Sequence, residues 1–323
     1  MVPGMGYRFR HDDESVEAGL RRVAAEQLTK ALASLDADAL HEGVHDARKR
    51  VKKLRGLLRL VRPGFKGYAK ENARLRDGAR TLSGLRDHAA MLEALGRLAA
   101  RYPEIDGRRM VPLRRALEAR RDAATAAGDL PERIAAFRAV LTQTRERADR
   151  WRLKAEGWTA LGPGLALTYG RGREAMARAH KTGKAEDFHE FRKRVKDHGY
   201  HARLLAPVWP VLMEPYAALL DDLGEVLGES NDLVALAPIV AASELKTGAR
   251  VALEELIVEE RRRLEARALV TAARVFAERP KALSRRMGAW WSAWAADPSA
   301  VDQDDAKAPP SAASISAMLS SIP

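Results

Sequence analysis

Two basic segments of the chain repeat the same residue types 144 residues apart. Segment 44–63 (VHDARKRVKKLRGLLRLVRP) aligns without gaps to segment 188–207 (FHEFRKRVKDHGYHARLLAP). The identical pairs are His45/His189, Arg48/Arg192, Lys49/Lys193, Arg50/Arg194, Val51/Val195, Lys52/Lys196, Arg59/Arg203, Leu60/Leu204 and Pro63/Pro207. Guanidinium groups bind phosphate oxygens with bidentate hydrogen bonds, and ammonium groups act as point charges. These residue types therefore favour the binding of a phosphate-rich anion.

On a helix, the basic residues of each segment fall on one stripe. The first stripe contains His45, Arg48, Lys52, Arg55, Arg59 and Arg62, and the second contains His189, Arg192, Lys196 and Arg203. An apolar stripe lies about 110° away in each segment, so the basic stripe borders the core instead of facing away from it. The second stripe is weaker, because Gly199 replaces Arg55 and His198 replaces Leu54.

Like charges three or four residues apart repel one another, which costs helix stability. A solvated basic face would explain one such stripe, but two stripes in the same register favour an anion that compensates them. The predicted anion-binding residues are His45, Arg48, Lys49, Lys52, Lys53, Arg55, Arg59, His189, Arg192, Lys193, Lys196 and Arg203. Two roles stay open for His45 and His189: a charged group beside phosphate, or a buried group that bonds a neighbouring helix.

The composition favours a polyanionic partner and excludes several other functions. The 323 residues carry a net charge of +12, which suits nucleic acid, anionic membranes or polyphosphate, although it can also serve solubility alone. The absence of cysteine excludes disulfides, thiolate catalysis and zinc–thiolate sites. Because no apolar run reaches membrane-spanning length, we expect a cytoplasmic protein. The basic stripes contain no aromatic residue, which disfavours the stacking used by single-strand nucleic-acid binders.

The apolar periodicity predicts an all-α protein of about ten helices. The predicted spans are 14–34, 38–62, 67–101, 107–127, 131–153, 163–182, 186–206, 211–228, 231–245, 248–278 and 280–295. Ser15 is expected to begin the first helix, and Asp36 or Asp38 to cap the second. Pro131 and Pro163 are expected in first turns. Trp290, Trp291 and Trp294 are expected to pack the last helix against the core.

A second repeated landmark indicates that the whole helical unit is duplicated. Residues 82–87 (LSGLRD) align to residues 227–232 (LGESND) at an offset of 145 residues, close to the offset of the basic segments. The predicted parts are an N-terminal arm (1–12), a first helical repeat (13–158), a second helical repeat (159–296) and a tail (297–323) whose composition is typical of disorder.

With these motifs the sequence resembles the CHAD family, the conserved histidine α-helical domain. The resemblance rests on the His-x-x-Arg motifs at 45–48 and 189–192, with the basic residues that follow them, and on the landmarks at 82–87 and 227–232. It implies two four-helix bundles related by a pseudo-twofold axis, with a basic central surface or pore. It also implies binding of inorganic polyphosphate and localisation to polyphosphate granules.

Three residues depart from the family pattern: Ser83 replaces the usual glycine, and Asp197 and Gly199 stand where basic residues are common. These departures concern how equally the two halves contribute to binding. The alternative function is a less specific nucleic-acid-associated or scaffold protein that uses the same basic surface.

We expect binding without catalysis, and neither a metal nor another cofactor. The chain has no Walker-type loop, no Gly-x-Ser-x-Gly elbow and no Glu-x-Glu-x-Lys motif of the triphosphate-tunnel hydrolases that accompany some relatives. A metal at His41/His45 is disfavoured because the second copy has no equivalent of His41, and one at His198/His201 because no carboxylate completes the pair. The acidic residues Asp221, Asp222 and Glu225 are better explained as a solvated helix face.

Overall fold

A computed structural model describes residues 6–37, 39–82, 84–103, 110–125 and 128–297. Regular structure in these ranges is helical throughout, which confirms the predicted all-α class. The helices are α1 (Val16–Ser34), α2 (Leu40–Leu60), α3 (Tyr68–Arg80), α4 (Gly84–Arg101), α5 (Val111–Thr125), α6 (Leu130–Ala148), α7 (Gly157–Thr182), α8 (Ala185–Leu204), α9 (Pro210–Ala241), α10 (Thr247–Val275) and α11 (Pro280–Ala295). A 3₁₀ turn at Ala206–Val208 separates α8 from α9. No helix of these ranges is long and apolar enough to cross a membrane.

Local signals begin and end several helices as expected. The Ser15 hydroxyl accepts a hydrogen bond from the Ala18 N–H at 3.0 Å and so caps α1. Pro131 lies in the first turn of α6, where its missing N–H costs nothing. Gly183 ends α7 with a φ of 61°, a left-handed conformation that favours glycine.

Two predicted helix starts are wrong. Asp36 does not cap α2, because the helix begins four residues later without a side-chain cap, and Asp36 instead pairs with an arginine of α6. The other candidate, Asp38, lies outside the described residues. Pro163 lies inside α7 and not in its first turn. The helix starts at Gly157, which brings the fully buried Leu161 into the core one turn earlier than predicted.

Two predicted helix boundaries also differ from the structure. The single helix predicted at 67–101 is two helices, because α3 packs on α2 and α6 whereas α4 packs on α5 and α9. The break predicted at Gly228 is absent, and α9 runs through it as one helix. The glycine serves packing there, since a Cβ at this position would lie only 3.0 Å from Nη2 of Arg192.

The helices pack in two groups that meet along α2, α7 and α8. In the first group, α1 packs on α2 and α6, and α3 packs on α2 and α6. In the second group, α8 packs between α7 and α9, α10 packs on α9, and α11 packs on α7. Contacts between the groups join α2 to α7 and α8, whereas α4 packs on α5 and on α9 of the second group. The division of the chain at residue 158 stays a prediction.

The N-terminal segment folds onto both groups. The Phe9 ring is buried and meets the Trp291 ring edge to face at 5.9 Å, while the Phe9 N–H donates to the Leu204 carbonyl at 3.0 Å. Trp291 also contacts Trp158, so the tryptophans of α11 pack against the core as expected, although they are only partly buried. The predicted tail lies almost wholly outside the described residues.

Gly164 allows α7 to approach α2 at backbone distance. A Cβ built on Gly164 would overlap the Leu60 carbonyl oxygen, so neither helix can stay in place if the glycine becomes alanine. We therefore expect Gly164→Ala to lower the free energy of unfolding in urea by about 3 kcal/mol. Gly96→Ala is the matched control, because a Cβ there meets nothing within 4 Å, and it should stabilise α4 by about 0.5–1 kcal/mol. Equal effects of the two substitutions would contradict this packing.

Candidate anion-binding site

Helices α2 and α8, which carry the repeated basic segments, cross in direct contact at Gly56 and Tyr200. A Cβ on Gly56 would lie 2.7 Å from the Cβ of Tyr200, so only glycine allows this approach. Beside it, the buried His201 donates a hydrogen bond from Nε2 to the Gly56 carbonyl oxygen at 3.0 Å. The crossing pairs aligned positions, since residues 56 and 200 are 144 apart, the offset of the sequence repeat.

The two helices run antiparallel through this crossing. Arg59, three residues after Gly56, forms an ion pair of 3.0 Å with Asp197, three residues before Tyr200. In the other direction, Lys53 lies three residues before Gly56 and feels the charge of Arg203, three residues after Tyr200. The crossing therefore sets cations of α2 beside cations of α8 at one end and an arginine beside an aspartate at the other.

Lys53 lies among other cations in a half-buried position. Burial and then the charges of Arg50, Arg203 and Lys49 together lower the pKa of Lys53 to about 8. Its ammonium group lies 5.6 Å from the centre of the Tyr7 ring. Burial and the neighbouring cations both disfavour the charged form of Lys53 in the absence of an anion.

Lys196 of α8 is also half-buried among other cations. Burial and the charge of Arg192 lower the pKa of Lys196 to about 8, with further contributions from Arg203 and from Lys49 of α2, against an opposing effect of Glu225. The electrostatic link between Lys49 and Lys196 joins the two helices. We use the term crossing cluster for Lys49, Lys53, Lys196 and Arg203.

Glycines of α9 make room for the long side chains of α8. A Cβ on Gly224 would lie 2.6 Å from Cε of Lys196, and one on Gly228 would lie 3.0 Å from Nη2 of Arg192. The end of the Lys196 side chain and the guanidinium group of Arg192 therefore lie against the bare backbone of α9. This packing keeps Lys196 half-buried.

Within the crossing cluster only Arg203 has a described ion-pair partner, Asp221 of α9. Lys49 is exposed, and no ion pair is described for Lys53 or Lys196, although the charges of Asp46 and Glu225 favour their charged forms. Such a cluster repels itself and is open to an external anion.

The other predicted residues of α2 lie toward both ends of the helix. Arg48 donates from Nη1 to the Leu82 carbonyl at 2.6 Å, so the first landmark contacts the first basic helix. Arg55 donates to Oδ1 of Asn72 at 3.0 Å, and burial and then Arg59 lower the pKa of Arg55 to about 10. Lys52 is exposed and His45 is partly buried.

The histidine of α8 is held by the second landmark. His189 is exposed, and its Nδ1 lies 2.6 Å from Oδ1 of Asn231. Lys193 pairs with Glu190 on the same helix. His45 and His189 each lie 11 residues before the crossing residue of their own helix, which is about 16 Å along it. Because the helices are antiparallel, the two histidines lie toward opposite ends of an elongated surface.

Sequence reasoning missed two parts of this site. The role of Gly56 was not visible, because a glycine in a basic helix carries no signal of its partner. Gly228 was predicted to be a helix boundary, although its four-residue spacing from Gly224 matches that of Arg192 and Lys196. No group of three or more metal-binding side chains occurs in the part of the chain that the structure describes.

His198 and His201 are buried behind the site. Burial lowers the pKa of His198 to about 4 and that of His201 to about 3. His198 Nε2 lies 2.8 Å from the Tyr216 hydroxyl, so each histidine has a hydrogen-bond partner as a neutral ring. Both residues bond neighbouring helices and are placed to hold α8 against them.

Both histidines should make the fold sensitive to acid. Below pH 6.5 the unfolded chain takes up protons that the folded chain does not, so stability falls as the pH falls toward 5. We expect a loss of roughly 2 kcal/mol per histidine between pH 7 and 5 in urea denaturation. His201→Gln keeps a donor for the Gly56 carbonyl and should remove the part of this stability loss that His201 causes. His180→Gln, at an exposed position, should leave the pH dependence of stability unchanged. The same pH dependence in His201→Gln and wild type would contradict this assignment.

Comparison with known proteins gives one match. The family model of the CHAD domain matches residues 21–241, about two thirds of the chain. The matched part includes both basic helices and both landmarks. No curated protein and no solved structure matches the chain.

Proposed function

Because the chain belongs to the CHAD family, we propose that it binds inorganic polyphosphate through the cations that α2 and α8 bring together. The family is associated with polyphosphate binding and is a family of binding domains, not of enzymes. The observation that carries the proposal is the crossing cluster. Two half-buried lysines there have lowered pKa values beside further cations, and the opposing charges of Asp46 and Glu225 do not offset this.

An anion placed at the crossing cluster would reverse the electrostatics of the free protein. A phosphate oxygen near Lys53 and Lys196 favours their charged forms, so binding is coupled to proton uptake. Arg203 can donate bidentate hydrogen bonds to the same anion, which would then compete with Asp221 for the guanidinium group. Polyphosphate repeats its charge along a flexible chain, which suits a surface that continues from the crossing toward His45 and His189.

We further propose that the chain is a duplicated unit with a basic central surface at the pseudo-twofold axis. This is supported by the crossing itself, where aligned residues 56 and 200 meet and residues at equal distances from them pair across the axis. Association with polyphosphate granules is part of the proposal, because a protein that binds the polymer with several cations would accumulate on it.

Nucleic acid remains the alternative ligand for the same surface. The rings near the crossing are engaged in the fold: Tyr7 donates its hydroxyl to the Lys53 carbonyl at 2.6 Å, and its ring meets that of Tyr200 at 6.2 Å. These rings are therefore poor stacking platforms for bases. This favours an anion without bases.

The ligand preference can be measured by competition. We expect long-chain polyphosphate to displace double-stranded DNA from the protein at fixed salt, with a higher affinity per charge. The logarithm of the affinity should fall linearly with the logarithm of the salt concentration, by a slope of about 0.7 per phosphate contacted, because counterions are released on binding. Lys53→Gln and Lys196→Gln should each lower affinity roughly fivefold at about 0.1 M salt. Lys281→Gln, at an exposed position of α11, is the matched control. Equal affinity per charge for DNA and polyphosphate would contradict specific binding.

The affinity should also depend on pH in a defined direction. The pKa of Lys53 and that of Lys196 are about 8 in the free protein and rise when phosphate binds. Affinity should therefore fall as the pH rises, by about tenfold per lysine between pH 7 and 9. The double substitution Lys53→Arg and Lys196→Arg keeps both charges and should flatten this dependence in titrations at constant ionic strength. An unchanged pH dependence in the double variant would show that other groups are responsible.

A further inference from the structure

Asp197 reverses the charge of a position that is basic in the first repeat. In the ungapped alignment Asp197 stands opposite Lys53, and Arg203 stands opposite Arg59. Both Lys53 and Asp197 lie three residues before the crossing residue of their own helix. Lys53 therefore faces Arg203, and Asp197 faces Arg59. The two ends of the crossing carry opposite charges, a lysine and an aspartate, at equivalent positions.

Asp197 lies where a bound phosphate would lie. Its side chain is 9% exposed, forms an ion pair of 3.0 Å with Arg59 of α2 and accepts a hydrogen bond from Nη1 of Arg194 of α8 at 3.4 Å. The charge of Arg55 also acts on it. A small anion held between guanidinium groups of two helices is the arrangement expected for phosphate in a basic groove.

The other end of the crossing differs in this respect. Lys53 cannot neutralise Arg203, which turns to Asp221 on α9 instead. Lys49 and Arg50 add positive charge beside Lys53. The Lys53 end therefore has a lysine at the position where the Arg59 end has the carboxylate of Asp197, as the alignment indicates.

We propose that Asp197 is an internal counter-anion that excludes phosphate from the Arg59 end of the crossing and confines bound polyphosphate to the Lys53 end. This inference rests on the proposed function, because it names the residue that restricts the same surface. Asp197 is a positioning residue: it acts on the ligand through Arg59 and does not contact it.

The direct test is Asp197→Asn, which removes the charge and keeps the size of the side chain. Arg59 then becomes available to phosphate. Binding to long-chain polyphosphate should tighten roughly fivefold at about 0.1 M salt, and the salt slope should steepen by about 0.7, as expected for one added contact. Adding polyphosphate should raise the melting temperature of Asp197→Asn more than that of wild type. Unchanged or weaker binding by a folded Asp197→Asn protein would overturn the proposal.

The double variant Asp197→Asn/Arg59→Gln tests the same idea without an unpaired buried charge. Replacing both partners of a buried ion pair is far milder than removing one of them. If the pair is closed to ligand, this variant should bind polyphosphate within about twofold of wild type. A loss of fivefold or more would show that Arg59 contacts phosphate in the wild type and would overturn the proposal. Wild-type protein that fails to bind would overturn the proposed function as well, so the two failures are distinguishable.

Discussion

The contact between Gly56 and Tyr200 is the constraint on which the rest of the site depends. Because residue 56 has no side chain, α8 can lie directly on α2, with the His201 ring bonded to the exposed carbonyl. This contact brings two basic helices together at aligned positions, each four residues before the end of its helix. Cations that would otherwise be solvated on separate helices are thereby half-buried beside one another.

Such an arrangement is unfavourable for the free protein and must be held by the remainder of the fold. The close contact of Gly164 with the Leu60 carbonyl holds α7 on α2, and the glycines of α9 hold α8 from the other side. The neutral buried histidines bond α8 to α2 and α9. The lowered pKa values of Lys53 and Lys196 are the consequence of this placement, which buries the side chains in part and sets other cations beside them.

Much of this could be predicted from the sequence, and the failures have physical causes. The helical class, the repeat and the His-x-x-Arg motifs follow from local spacing, and they led to the family that the comparison supports. Pairing across the crossing does not follow from spacing, because an alignment states which residues are equivalent and not which ones meet. The ion pair of Asp197 with Arg59 is one such contact, since the alignment places Asp197 opposite Lys53. The predictions that a helix begins at Pro163 and ends at Gly228 are wrong, because helix-breaking residues are tolerated where packing fixes the backbone.

The central claim is that one anion is held by cations of both helices. Calorimetric titration with tripolyphosphate tests it most directly, because this ligand is too short to bridge separate surfaces. The account predicts one binding event per chain, weakened by Lys53→Gln on α2 and equally by Lys196→Gln on α8. Tripolyphosphate binding that is lowered by one substitution and unaffected by the other would contradict it, since the anion would then be bound by a single helix.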